Sequence, residues 1–207
     1  MKTRWLWMFV SVSMLISVGS CARQGPCTSV KDRPQFCCPV GTRIAGNQPP
    51  DGQDLYCEKD ALRHGPFWQW FDSGEFRAEG TYQEGKLHGP RTLWHKNGQK
   101  HLLITFVEGL EQGPFQEWSE KGTQTVEGGY LDGQRHGPET IWHSNGQLKS
   151  TGTYDKGNRQ GPWTEWYETG VKKAELIYDR GQRKGREAAW WEDGSLRFEI
   201  DHPAPER

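Results

Sequence analysis

One spacing dominates this chain. The triplets His64-Gly65-Pro66, His88-Gly89-Pro90, Gln112-Gly113-Pro114, His136-Gly137-Pro138, Gln160-Gly161-Pro162 and Lys184-Gly185-Arg186 step by 24 residues each time. The same step carries Trp70 to Trp94, Trp118, Trp142, Trp166 and Trp190, and Gly74 to Gly98, Gly122, Gly146, Gly170 and Gly194. It also carries Tyr82 to Phe106, Tyr130, Tyr154 and Tyr178. No insertion or deletion breaks the phase across six units. A fixed period of this size marks an array in which each unit is one supersecondary element that needs its neighbours to bury its apolar surface.

The segments between glycine turns run about seven to nine residues, too short for ordinary helices and right for strands. The first unit reads PFWQWF, DSG, EFRAEGTY, QEG. The expected fold is therefore all-β, an antiparallel meander with one hairpin per unit. Successive strand residues face opposite sides, so Trp68, Trp70, Phe76, Ala78, Gly80 and Tyr82 share a face only across a loop with an odd number of residues. A two-residue turn at Ser73-Gly74 would set Trp70 opposite Arg77. Three-residue loops follow, a type I turn closing on a positive-φ glycine as in Asp72-Ser73-Gly74. The second turn, at Gly85, Gly109, Gly133, Gly157 and Gly181, is read by the same scheme. The result is a Trp ladder stacked against Tyr and Phe on one face, with Gly80, Gly128 and Gly152 making room for indoles. The opposite face, with Arg77, Lys149, Lys173, Glu79, Glu127 and Glu175, is expected to be wet.

The pattern G-x-W-x-x-W-x-x-x-G, followed by a glycine, a Tyr and then D/E-x-G, resembles the MORN repeat in its bacterial variant form. The resemblance covers about 64 to 202. Ile104 and Leu176 replace the strand glycine, and the sixth unit has Arg186 for Pro and His202 for Tyr. Atypical final units are expected where an array stops and caps itself. The resemblance implies a β-hairpin array that mediates contact with proteins or membranes. Many bacterial members carry an antitoxin label, which fits poorly with a chain that leaves the cytoplasm.

Export is read from the N-terminus. Lys2 and Arg4 precede an apolar run from Trp5 to Val18, too short for a comfortable span, which needs about 20 apolar residues. Residues 1–20 therefore read as a signal peptide. The ending Val18-Gly19-Ser20-Cys21 resembles a lipobox, so Cys21 is expected to carry lipid and anchor the chain to a membrane it does not span. Ala22, by resemblance to lipoprotein sorting rules, favours the outer membrane, with the array facing the periplasm or the surface. Cys27, Cys37, Cys38 and Cys57 remain, an even number in an oxidising compartment. Adjacent Cys37 and Cys38 seldom bridge each other. Two pairings stay open: Cys27–Cys37 with Cys38–Cys57, or Cys27–Cys38 with Cys37–Cys57. Residues 21–58 read as a disulfide-stapled loop module with linker, residues 59–202 as six repeats and 203–207 as a tail.

Composition narrows function. Hydrophobic residues are 33% of the chain, which leaves a large conventional core doubtful, yet 11 Trp rule out a disordered composition. A formal net charge of -1 gives no basic face with which to displace counterions from nucleic acid. No nucleophile elbow or phosphate loop is present, and near-identical units lack the one unlike place an active site needs. We expect no enzyme and no cofactor. His64, His88 and His136 hold one phase and His95 and His143 another; they read as polar turn residues rather than metal ligands, because Gln112, Gln160 and Lys184 stand in the first phase. Trp68, Trp163 and Trp191 lie outside the Trp column and are the candidates for outside contacts. The sequence thus points to an anchored scaffold in the cell envelope that binds an unidentified envelope protein. A toxin-associated accessory, immunity or antitoxin-like protein, and a glycan binder or envelope enzyme, are the alternatives.

Overall fold

The computed structural model describes residues 24–31 and 33–202. Residues 1–20, expected to be a signal peptide, Cys21 and the tail 203–207 lie outside the described residues. All regular structure among these residues is β. Strands β1 (Gln24–Thr28) and β2 (Phe36–Pro39) form a separate two-stranded sheet. Strands β3 (Arg43–Asn47) and β4 (Asp54–Lys59) form a hairpin that already belongs to the long sheet, because β4 pairs with β5 (Leu62–Trp70). The segment expected to be a loop module is therefore half sheet. From β5 the meander runs, strand against next strand, to a last strand at Leu196–His202. Among the described residues no pairing joins that strand to β3, so the ladder is open.

The register repeats with the sequence. Gly65 faces Tyr82, Gly89 faces Phe106, Gly113 faces Tyr130, Gly137 faces Tyr154, Gly161 faces Tyr178 and Gly185 faces His202. The first loop of each unit is as expected. In the first unit the Phe71 N–H donates to Glu75 O at 2.8 Å and the Gly74 N–H donates to Phe71 O at 2.9 Å, with Gly74 at φ 94°. That is a three-residue loop closed by a positive-φ glycine.

The second turn is not. Gln83 pairs directly with Lys86, leaving Glu84-Gly85 as a two-residue loop with φ of 51° and 81°. Both residues left-handed is the type I′ turn, whose twist matches that of the flanking strands. Glu108, Asp132, Lys156 and Arg180 take the same left-handed place in later units.

A second correction concerns the faces. Gln69 pairs with Ala78, but Trp70 pairs with Phe76, so Arg77 is an extra residue in a bulge. The same slip recurs at Trp94, Trp118, Trp142, Trp166 and Trp190. Trp68 lies opposite Glu79, and Phe67 lies opposite Gly80. The Trp column and the Gly80–Tyr82 column are therefore on opposite sides of the sheet, and Glu79, Glu127 and Glu175 share the Trp side. The inner face instead carries the column Phe67, Arg91, Phe115, Glu139, Trp163 and Glu187. Phe67, Phe115 and Trp163 are each 1% exposed. Such burial in a single-layer sheet requires curling, and one bulge per hairpin supplies it.

The disulfides are Cys27–Cys37 and Cys38–Cys57. Strand alternation selects this pairing. Cys37 lies opposite Cys27 in the β1–β2 register, while Cys38 points to the other side and meets Cys57, both in the core.

Candidate functional site

The inner face is committed to stability. Trp163 makes edge contacts with Tyr154 and Tyr178 at 5.1 and 6.2 Å, and its Nε1–H donates to Thr153 O at 3.2 Å. Trp163 is thus core, not an outward contact, which corrects the expectation for this residue. Arginines lie against the aromatic rings: Arg135 4.4 Å from Phe115, and Arg159 4.2 Å from Trp163. Where the column carries a carboxylate, an arginine four residues earlier supplies the charge. Arg135 pairs with Glu139, and Arg183 Nη1 donates to both oxygens of Glu187 at 3.0 and 3.1 Å. His202 also meets Glu187 at 2.5 Å. These buried carboxylates are partnered, as burial of charge requires.

The outer face is different. Its middle holds an open groove of about 690 Å³. Pro90, Pro114 and Pro138 line it from three successive units, with Leu103, Thr105 and Gly129 between them and Gln116 and Glu127 as polar groups. A smaller hollow of about 210 Å³ continues the face at Pro162, Thr164, Ile177 and Arg186. The Trp column runs along one side, and Trp94, Trp118, Trp142, Trp166 and Trp190 are half-buried. Each of these prolines follows a positive-φ glycine, and around Gly161-Pro162 the register with the preceding strand shifts, from Thr153↔Gln160 to Thr151↔Thr164, an irregular place where a missing N–H is tolerated.

On the first unit this same face is covered. Phe36 of β2 meets Trp68 edge-on at 5.1 Å, and Phe36, Cys38, Leu55, Cys57 and Trp70 form one buried cluster with Trp68 and Phe76 against it. Trp68 therefore reaches beyond the repeats, but to the chain's own disulfide module. Trp191 is 51% exposed at the last loop, with the Arg197 guanidinium 4.5 Å from its ring.

Three of the histidines, His64, His95 and His143, bond across the hairpins. The Nε2–H of His95 donates to Trp118 O at 2.8 Å, and that of His143 donates to Trp166 O at 2.9 Å. In the next unit Tyr167 makes the same bond to Trp190 O at 2.9 Å. The other phase serves the type I′ turns. The N–H of Glu84 donates to His64 Nδ1 at 3.4 Å, that of Asp132 to Gln112 Oε1 at 2.9 Å and that of Arg180 to Gln160 Oε1 at 2.8 Å. His and Gln interchange in this column because both offer an acceptor. Among the described residues no group of three or more His, Cys, Asp or Glu is placed to hold a metal.

Residues 135–156 and 159–180 match the MORN repeat variant family. The two matches are in phase with the 24-residue period and cover the fourth and fifth units, which share their register with the other four. No curated protein sequence matches the chain.

Proposed function

Because the chain carries tandem MORN repeats, we propose that it acts as a non-enzymatic interaction scaffold, held to a membrane of the cell envelope by lipid on Cys21. The observation that carries this reading is the outer face itself. On the first unit it accepts a folded β-hairpin with a buried Phe and a disulfide against it; on the next units the same face stands open as a groove. The open units offer a protein segment proline and threonine walls with few charges between them. The partner is an envelope protein.

The test is site-specific photo-crosslinking in the native host from Gln116 in the groove and from Lys149 near the loop ends of the sheet. One partner captured from Gln116 and absent from Lys149 supports the reading. Equal, diffuse products from both positions would remove the groove as the binding surface. The half-exposed indole column favours a second reading, an envelope glycan binder, since successive Trp offer stacking surfaces about 10 Å apart. Saturable quenching of Trp fluorescence by a cell-wall glycan would promote it.

A further inference from the structure

The array has one unlike place after all. At the position of Phe76 the later units carry Lys100, Gln124, Leu148, Lys172 and Leu196; at that of Trp68 they carry Thr92, Gln116, Thr140, Thr164 and Ala188. Only the first unit puts aromatics at both, and Trp94 of the second unit completes a third wall. Phe76 packs against Trp68 at 6.1 Å and 85°, and against Trp94 at 4.8 Å and 60°. These walls brace one another rather than collapse into the space between them.

That space holds a cation. The Arg33 guanidinium carbon lies 3.1 Å from the Phe76 centroid and 5.8 Å from those of both Trp68 and Trp94. Arg33 comes from the loop between β1 and β2, which the Cys27–Cys37 disulfide closes. Three aromatic rings are thus counterparts of this cation. Burial lowers its pKa from the ordinary arginine value, and the charge of Glu79 acts in the opposite direction. Three aromatic rings around one cation, with a carboxylate nearby, form the arrangement that binds weakly hydrated alkylammonium groups.

We propose that Trp68, Phe76 and Trp94 form a binding cage for a quaternary ammonium group, and that Arg33 is its tethered occupant. A ligand in trans must displace Arg33, which competes at the high effective concentration of a group in the same chain. The cage is therefore closed until a ligand or partner draws the loop away. Removing the charge of Arg33 should open it without rebuilding the walls.

The experiment uses the full chain and tetramethylammonium as probe, read by Trp fluorescence and calorimetry. Arg33→Ala should bind the probe about five- to thirtyfold more tightly than the unaltered chain, the fold-change that corresponds to about 1–2 kcal/mol of lost cation–π competition. Adding Phe76→Leu to Arg33→Ala should abolish that gain. If Arg33→Ala disturbs the fold, Arg33→Gln, which fills similar space without charge, decides. No gain in either variant, a gain that survives Phe76→Leu, or unfolding of both variants would overturn the proposal and leave Arg33 as a structural strut. Where the gain is seen, free choline against vesicles with choline headgroups separates a soluble ligand from a membrane surface.

Discussion

Gly152→Ala tests the inner face most sharply. Gly152 lacks a positive φ, so alanine costs nothing in backbone terms. Replacing a strand glycine would ordinarily stabilise by roughly 0.4–1 kcal/mol through the unfolded chain. Here the added methyl would fall within the Trp163 indole, against Cδ2 and Cε2. The ring cannot swing clear cheaply, because Thr153 O holds its Nε1–H and Tyr154 and Tyr178 stand at its edges. Overpacking of this kind costs about 1–3 kcal/mol. The net expectation is a loss of about 1–2 kcal/mol, read as a lower urea midpoint with unchanged slope. In a Trp163→Leu background, which starts lower by itself, the same alanine should be nearly neutral, so the cycle gives a coupling of at least about 1 kcal/mol. A neutral or stabilising Gly152→Ala in the unaltered chain would refute the placement of Trp163 against that glycine.

Other consequences follow from the turns, the staple and the ion pairs. Asp132→Gly relieves a left-handed non-glycine residue and should be neutral or stabilising by up to about 1 kcal/mol, whereas Asp132→Val should lose about 1–2 kcal/mol, both by thermal unfolding. Cys57→Ser removes a fully buried bridge and should cost about 2–4 kcal/mol, with loss of module protection in hydrogen exchange. Asp179 is held below the usual carboxylate range, first by a hydrogen bond from Gln160 and then by Lys184 and Arg180. A depressed carboxylate contributes stability above its unfolded pKa and loses it as pH falls through the folded value. Asp179→Asn should therefore flatten the acid limb of a stability-against-pH curve and change nothing near neutrality beyond a constant offset.

Much of this fold was legible because the period counts strands and loops directly. The three-residue loop could be named because glycine fills its one left-handed place, as at Gly74. The second turn hid its type, since Glu84, Glu108, Lys156 and Arg180 occupy a left-handed position that sequence does not mark; only Asp132-Gly133 carries the usual type I′ signal. The two faces of the sheet are hidden from the sequence for a related reason. Strand parity holds only without bulges, and the extra residue at Arg77 and its equivalents moves the Trp column to the other side. The buried column was visible as a two-unit pattern, Phe67, Phe115 and Trp163 alternating with Arg91, Glu139 and Glu187, that a search at one period overlooks. Cysteine spacing allowed two pairings, and only the alternation of β2 separates them. The cage required three residues distant in sequence to meet, with nothing but the departures at Trp68 and Phe76 to mark it.

An anchored scaffold depends on Cys21. Mass spectrometry of the mature N-terminus with membrane fractionation, on the native chain and on Cys21→Ala, tests it most directly. The expected result is a chain that starts at an acylated Cys21, sits in the envelope membrane and is released by the substitution. A chain that keeps Met1, lacks acyl groups and fractionates with the cytoplasm would contradict it, and would bring the antitoxin-like reading forward.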